Sequence, residues 1–212
     1  LKPVIPRRVV LDVGCAEGWY TSWIGRRALL AVGLDISLAK LKRAIKESSS
    51  SSTTYILGSW DYLPLRESAF DVALFSQGIE HCSNPLKTLS GFKQVLIEDG
   101  LLIMSAEVEP DNLYTKLVRR RLMVLKNHFK NPFDGHLWIM TPNSLKEIAN
   151  KYFQVEKEFL LGTPIDFPLK RTIAHLTGRN IAQGLSVLLA RKIRKRRRPK
   201  ALVTFQSLFY KR

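Results

Sequence analysis

A chain of 212 residues is long enough for one domain with a buried core. Its 45% hydrophobic and 25% charged residues exclude a disordered or fibrous protein, and no apolar run nears the length needed to cross a bilayer. Two cysteines, Cys15 and Cys82, exclude a disulfide framework, so a reducing, cytoplasmic compartment is expected. The net charge of +16 is unevenly placed. Residues 113–130 carry six Lys or Arg and residues 191–212 carry ten, neither stretch with an acid. The rest of the chain holds 18 basic and 18 acidic residues, so a neutral body bears two basic attachments. Such attachments suit a polyanion, either RNA or an acidic membrane surface on which the protein would lie peripherally. No signal peptide is visible. The chain enters its first strand almost at once, which leaves room for a segment before it.

In chain order, the apolar run Val9–Val13 is the first expected strand, followed by a helix over 19–27 and a second strand over 29–35. Ser37 is a suitable N-cap for a helix running to about Lys46. The serine run 48–52 is a surface loop. Strands are expected over 54–57 and 70–75, a helix over 85–97, and a strand over 101–105 after the Asp99-Gly100 turn. Residues 112–129 place Leu113, Leu117, Leu122 and Leu125 at helical spacing, with most of the cations elsewhere. A helix over 142–152, capped by Thr141 with Pro142 in its first turn, leads to two last strands, 153–161 and 184–191. This alternation is that of an α/β protein with a mostly parallel sheet. One domain over 1–192 is expected, with 107–135 as a helical lid on the substrate side and 193–212 as a basic tail.

The chemistry lies in the first two strand ends. Asp12-x-Gly14-x-Ala16-x-Gly18 follows the first strand, and Asp35 ends the second, seventeen residues after Gly18. In a doubly wound sheet both ends share one edge, beside the crevice where nucleotides bind. Glycines there let backbone approach a ligand, and Asp35 can accept hydrogen bonds from both hydroxyls of a ribose. A dinucleotide fingerprint would need G-x-G-x-x-G, which is absent, so a dehydrogenase is disfavoured. Acids at the turn suit a ligand bearing an ammonium and a sulfonium better than one bearing phosphates.

The segment resembles motif I of the class I S-adenosylmethionine-dependent methyltransferases, with Ala16 in place of the middle glycine. Gly58-Ser-Trp-Asp-Tyr-Leu-Pro-Leu65, Ser68-Ala-Phe-Asp-Val-Ala-Leu-Phe75, Glu80-His81 and Asp99-Gly100-Leu-Leu-Ile103 extend the resemblance to the small-molecule, quinone-biosynthesis-like (type 11) group. Gly135-His136-Leu-Trp-Ile-Met-Thr141 and Tyr152-Phe-Gln-Val155 add a weaker match. The resemblance implies a Rossmann-like, doubly wound seven-stranded sheet with an antiparallel last strand, and S-adenosyl-L-methionine as cofactor. It implies that Asp12, Gly14, Cys15, Ala16 and Gly18 hold the methionine end, and that Asp35 holds the ribose with Ile36 against the adenine. Ser59 and Trp60 would close the adenine pocket, and Ser76, Gln77 and Gly78 would line the site near the methyl group. Ser59 departs from the group, which has an Asp there to accept the adenine amino group. Trp60 is either a stacking partner or a packing residue.

For an acceptor that must lose a proton, His136 is the first candidate base and His81 the second, the latter also able simply to hold its loop. His128, in the basic segment, reads as a surface residue. No Cys, His and acid cluster has metal-ligand spacing. The leading expectation is methyl transfer to a small-molecule or lipid-like acceptor. An RNA methyltransferase using the basic segments 116–130 and 191–212 is the competitor, although Ser76-Gln-Gly-Ile79 is not the Asn/Asp-Pro-Pro-Tyr/Phe sequence of many enzymes that methylate base amino groups. A non-catalytic, polyanion-binding scaffold is the third. Presence of both Gly14 and Asp35 counts against it.

Overall fold

The computed structural model describes residues 4–108, 137–138, 140–161 and 184–192. The expected lid helix, His128, His136 and the basic tail lie outside the described residues.

Five strands run parallel in the order β3-β2-β1-β4-β5: β1 (Val9–Val13), β2 (Leu30–Asp35), β3 (Thr53–Leu57), β4 (Phe70–Ser76) and β5 (Leu96–Val108). Beyond β5 lie β7 (Gly184–Lys192), antiparallel to it, and then β6 (Phe153–Leu161), antiparallel to β7. The order reverses between β1 and β4, so the loops after these strands open a crevice at the carboxyl edge.

Alternation along the strands divides the core in two. Leu11, Val13, Val32, Leu34, Phe75 and Met104 face one side, where α3 (Pro85–Val95) and α4 (Pro142–Ala149) supply Leu89, Phe92 and Leu145. Val10, Ala31, Val72 and Leu74 face the other, against Ile24 of α1 (Trp19–Gly25). Ala44 of α2 (Leu38–Glu47) packs close to Gly18, which places α2 beside α1. Ser37 Oγ caps α2 by accepting from Lys40 N at 3.4 Å, and Asn84 Oδ1 caps α3 by accepting from Lys87 N at 3.2 Å. Thr141 and Ser144 cap α4 reciprocally, with Pro142 at its first position.

Several boundaries differ from expectation: the helices expected to reach 27 and 152 end at Gly25 and Ala149, and the strand expected to end at 105 runs to Val108. The helix expected to reach 97 ends at Val95, and Leu96 already pairs with Phe70 in the sheet. Asp99 takes a left-handed conformation (φ 59°), and the β4–β5 register shifts between Phe70 and Val72. The strand thus begins five residues early and carries an irregularity instead of following a free turn.

Candidate cofactor site

The β1–α1 turn is held from β2. Gly14 N and Cys15 N both donate to Leu34 O, at 2.7 and 3.1 Å. Gly14, Ala16 and Gly18 all have positive φ, at 74°, 49° and 77°. For Ala16 that conformation costs about 1–2 kcal/mol. Part of it is offset by Asp35, whose Oδ2 accepts from Ala16 N at 2.9 Å. Asp35 Oδ1 accepts from Ser37 N at 2.8 Å. One carboxylate therefore ties the glycine turn to the start of α2, and each oxygen keeps a second lone pair for a ligand hydroxyl.

The two motif glycines have different reasons to be glycine. A Cβ on Gly14 would meet only the Trp60 ring, at 3.6 Å and in ordinary van der Waals contact, so no neighbouring atom forbids a side chain there and only the positive φ favours glycine. A Cβ on Gly18 would lie 2.5 Å from Tyr55 Oη and 2.9 Å from Ala44 Cβ. Gly18 is thus required where the turn packs onto α2 and β3, not where a ligand approaches.

Asp12 points toward α1, where Thr21 Oγ1 donates to its Oδ2 at 2.6 Å. Burial pushes its pKa up from 3.8 to about 6, helped by the charge of Asp35 and opposed by the Thr21 hydrogen bond. The sign follows directly: the folded state holds the proton more tightly, so this group's contribution is full below about pH 4 and is lost as pH rises to 6. We therefore expect the melting temperature of Asp12→Asn to gain on that of the parent between pH 4 and 6, with a constant difference above, as calorimetric scans at several pH values will report. A parent-minus-variant difference independent of pH would contradict this.

Cys15 offers its backbone to the turn. Its thiol is buried beside Gly33, and burial together with Asp12 and Asp35 pushes its pKa up to about 12, so it is a neutral packing group. Cys82 is likewise buried, donates to Gly78 O at 3.3 Å and is pushed up to about 12, chiefly by burial.

Ile36 is exposed, directly after Asp35. Ser59 Oγ accepts from Asp61 N at 3.2 Å and so shapes its own turn, while Gly58 N donates to Asp35 O at 3.0 Å. Trp60 packs against the core beside Phe75, ring centroids 5.8 Å apart, with its ring across Gly14. After β4, Ser76 Oγ shares a hydrogen bond with Ser105 Oγ at 2.8 Å, and Gln77 (φ 49°) donates its N–H to Ser105 O at 2.9 Å. A Cβ on Gly78 would collide with the Phe75 ring, so Gly78 is a packing glycine.

His81 closes a short 3-10 turn, Ile79–His81, and its N–H donates to Gly78 O at 3.0 Å. The neighbouring Glu80 is buried. Its Oε1 accepts from Glu107 N at 3.0 Å, and its carbonyl accepts from Leu137 N and Trp138 N at 2.9 and 3.1 Å. Trp138 Nε1 donates to Cys82 O at 2.7 Å. The stretch just after His136 is thereby stitched to the His81 turn, bringing that turn and residues 137–138 together. Thr21, Gly33, Tyr55 and Ser105 all shape this site and were not anticipated from sequence, whereas Glu80 was quoted there only as the neighbour of His81. Thr21 alone left a signal, nine residues after Asp12 on the face of α1 that carries Ile24. Among the described residues, no group of three or more His, Cys, Asp or Glu could hold a metal ion.

A glycine turn, a carboxylate with spare acceptor capacity at the end of the next strand and an exposed apolar residue beside it are the parts a nucleoside site of the class I methyltransferase kind would need. These residues fit S-adenosyl-L-methionine. Comparison with known proteins agrees. The family described as "Methyltransferase domain", type 11, matches residues 11–104. A malonyl-[acyl-carrier protein] O-methyltransferase of Hamiltonella defensa is 27% identical over 101 residues, 48% of this chain and 38% of the relative. A tRNA U34 carboxymethyltransferase of Histophilus somni is 33% identical over 122 residues, 54% of this chain and 37% of the relative. The chain spans under two fifths of the length of these curated relatives. An S-adenosylmethionine-dependent methyltransferase structure from Mesorhizobium loti shares the fold, with TM-score 0.64, 21% identity, and coverage of 90% of this chain and 93% of that one. Residues 11–104, under half of the chain, are thus similar to the methyltransferase-domain family, and the chain shares the fold of the Mesorhizobium loti S-adenosylmethionine-dependent methyltransferase.

Proposed function

We propose that the protein transfers a methyl group from S-adenosyl-L-methionine, in line, to a small-molecule or lipid-like acceptor. The observation that carries this is the Asp35 carboxylate, joined to Ala16 N at 2.9 Å across a turn in which Gly14, Ala16 and Gly18 all have positive φ. The cofactor supplies an electrophilic methyl on a sulfonium whose leaving group is a neutral thioether. The work left to the protein is alignment and exclusion of water. Asp35 takes the ribose hydroxyls and Ile36 one face of the adenine. Ser59 Oγ, already accepting from Asp61, has a second lone pair for the adenine amino group. Trp60 supports the turn from beneath. Asp12, Gly14, Cys15 and Ala16 border the methionine end, with Gly18 holding the turn's shape. Ser76, Gln77 and Gly78, set by Ser105 and Phe75, face the acceptor side. His136, or His81 in its absence, takes a proton from the acceptor where the acceptor must lose one.

A second reading is methyl transfer to RNA. A tRNA-acting relative and the two acid-free basic segments, 116–130 and 191–212, favour it. The two are separated by incubating the protein with methyl-tritiated cofactor and a total cell extract, then partitioning the products. Label in the organic-soluble or small-molecule fraction supports the first reading. Label that follows RNA and is released by ribonuclease overturns it in favour of the second.

A further inference from the structure

With the ribose on Asp35 and the adenine against Ile36 and Ser59, the methionine carboxylate of the cofactor is left without a partner. A carboxylate needs hydrogen-bond donors. The glycine turn has none to spare at Gly14, Cys15, Ala16 or Gly18. Gly14 N and Cys15 N donate to Leu34 O, Ala16 N to Asp35 Oδ2, and Gly18 N to Cys15 O. The acids of this edge, Asp12, Glu17, Asp35, Asp61 and Glu80, suit the ligand's ammonium and repel its carboxylate. Of the nearby cations, Lys87 lies over the Tyr62 ring and Arg43 against Glu17, while Lys40 stands in α2, on the Asp35 side of the turn. Among the described residues, a donor for the carboxylate must come from across the crevice.

The end of β4 provides one. Val13 pairs with Phe75 and Ser76 with Ser105, so Ser76 stands between the turn at Gly14 and the far part of β5. This is the point where the strand order reverses. Neighbouring strands lie about 4.8 Å apart, which puts the Ser76 hydroxyl within reach of a group seated against Gly14. Ser76 is exposed and Ser105 is buried. Their hydroxyl oxygens are 2.8 Å apart, and either could be the donor by distance alone. The buried group decides between them. Ser105 Oγ already accepts from Gln77 N at 3.2 Å. If Ser76 gave the proton, that of Ser105 would be buried with no acceptor among the described residues, which is the costlier arrangement. Ser105 therefore donates to Ser76, and the Ser76 proton is turned out into the crevice. Ser105 holds the next residue as well. Its carbonyl accepts from Gln77 N at 2.9 Å, which secures the left-handed conformation of Gln77 (φ 49°).

We propose that Ser76 donates from its hydroxyl to the methionine carboxylate of the cofactor, with Ser105 as the positioning residue that directs it. The assignment rests on the proposed function and adds to it the donor for this one group.

Calorimetry with S-adenosyl-L-methionine and with its decarboxylated form, which keeps the sulfonium and the ammonium, isolates the contact. Ser76→Ala should weaken binding of the first at least roughly tenfold, the usual loss for a hydrogen bond to a charged group, and leave the second unchanged. Ser76→Thr keeps a hydroxyl at an exposed position and should restore the preference. Ser105→Ala should show the same selective loss in smaller measure, because the Ser76 hydroxyl remains but is no longer directed. A merely structural role for Ser105 would weaken both ligands alike. Unchanged affinity of Ser76→Ala for S-adenosyl-L-methionine overturns the proposal, as does an equal loss for the two ligands. A parent protein that binds neither ligand overturns the proposed function itself, and this assignment with it.

Discussion

Asp35→Ala should weaken binding of S-adenosylhomocysteine by 1.5–3 kcal/mol, roughly tenfold to 150-fold, the usual loss for a hydrogen bond to a charged group. The carboxylate does two things at once in this structure. Its oxygens accept from Ala16 N at 2.9 Å and Ser37 N at 2.8 Å, which holds a non-glycine residue in a left-handed conformation. Under the proposed function the same oxygens take the ribose hydroxyls. Removing the group therefore deprives the ligand of its acceptor and also releases the turn against which it would lie. Asp35→Asn should fall between parent and Ala, because its single oxygen satisfies only one of the two N–H donors. Isothermal calorimetry on the three proteins reads this directly. Equal affinities would remove Asp35 from the site.

Gly18→Ala should destabilise the fold by about 2–5 kcal/mol, combining left-handed strain with overpacking. Its Cβ would lie 2.9 Å from Ala44 Cβ and 2.5 Å from Tyr55 Oη, at φ 77°. The tyrosine tip can swing aside, but Ala44 is fixed on α2. Gly14→Ala provides the contrast. Its Cβ meets nothing nearer than Trp60 at 3.6 Å, so the stability cost should be the conformational strain alone, about 1–2 kcal/mol. Under the proposed function that methyl would stand against the methionine end of the ligand, and ligand affinity should fall. Thermal melts paired with ligand titrations separate the two effects. A Gly18→Ala protein that melts with the parent would show that the turn is not packed as described. A Gly14→Ala protein that binds normally would place the ligand elsewhere.

The strands of the nucleotide-binding half were legible because they are continuous apolar runs ending in glycine or acid, a pattern that buried parallel strands require. The cofactor turn was legible for the same reason: Gly14, Ala16, Gly18 and Asp35 are close in sequence and of unusual composition. The boundary at Val95 was not. Leu96 and Ile97 continue the apolar spacing of α3, and only pairing with Phe70 draws Leu96 into the sheet. Nor were the supports of the site legible. Tyr55 reaches Gly18 from β3, Ser105 reaches Ser76 and Gln77 from β5, and Glu80 binds Glu107 from a loop, each across long sequence separations. Spacing gave Gly18, and the resemblance gave Gly78, a ligand-facing reason, whereas neighbouring side chains require them. Cys15 was read by its place in the turn, but a side chain's direction there depends on the glycine opposite, Gly33.

The measurement closest to the central claim is a thermal-shift titration of the protein with S-adenosylhomocysteine, run with and without total RNA. The account predicts a saturable rise in melting temperature with the nucleoside alone. No rise with the nucleoside, together with a rise on adding RNA, would contradict it and make the domain a polyanion binder that only shares the fold.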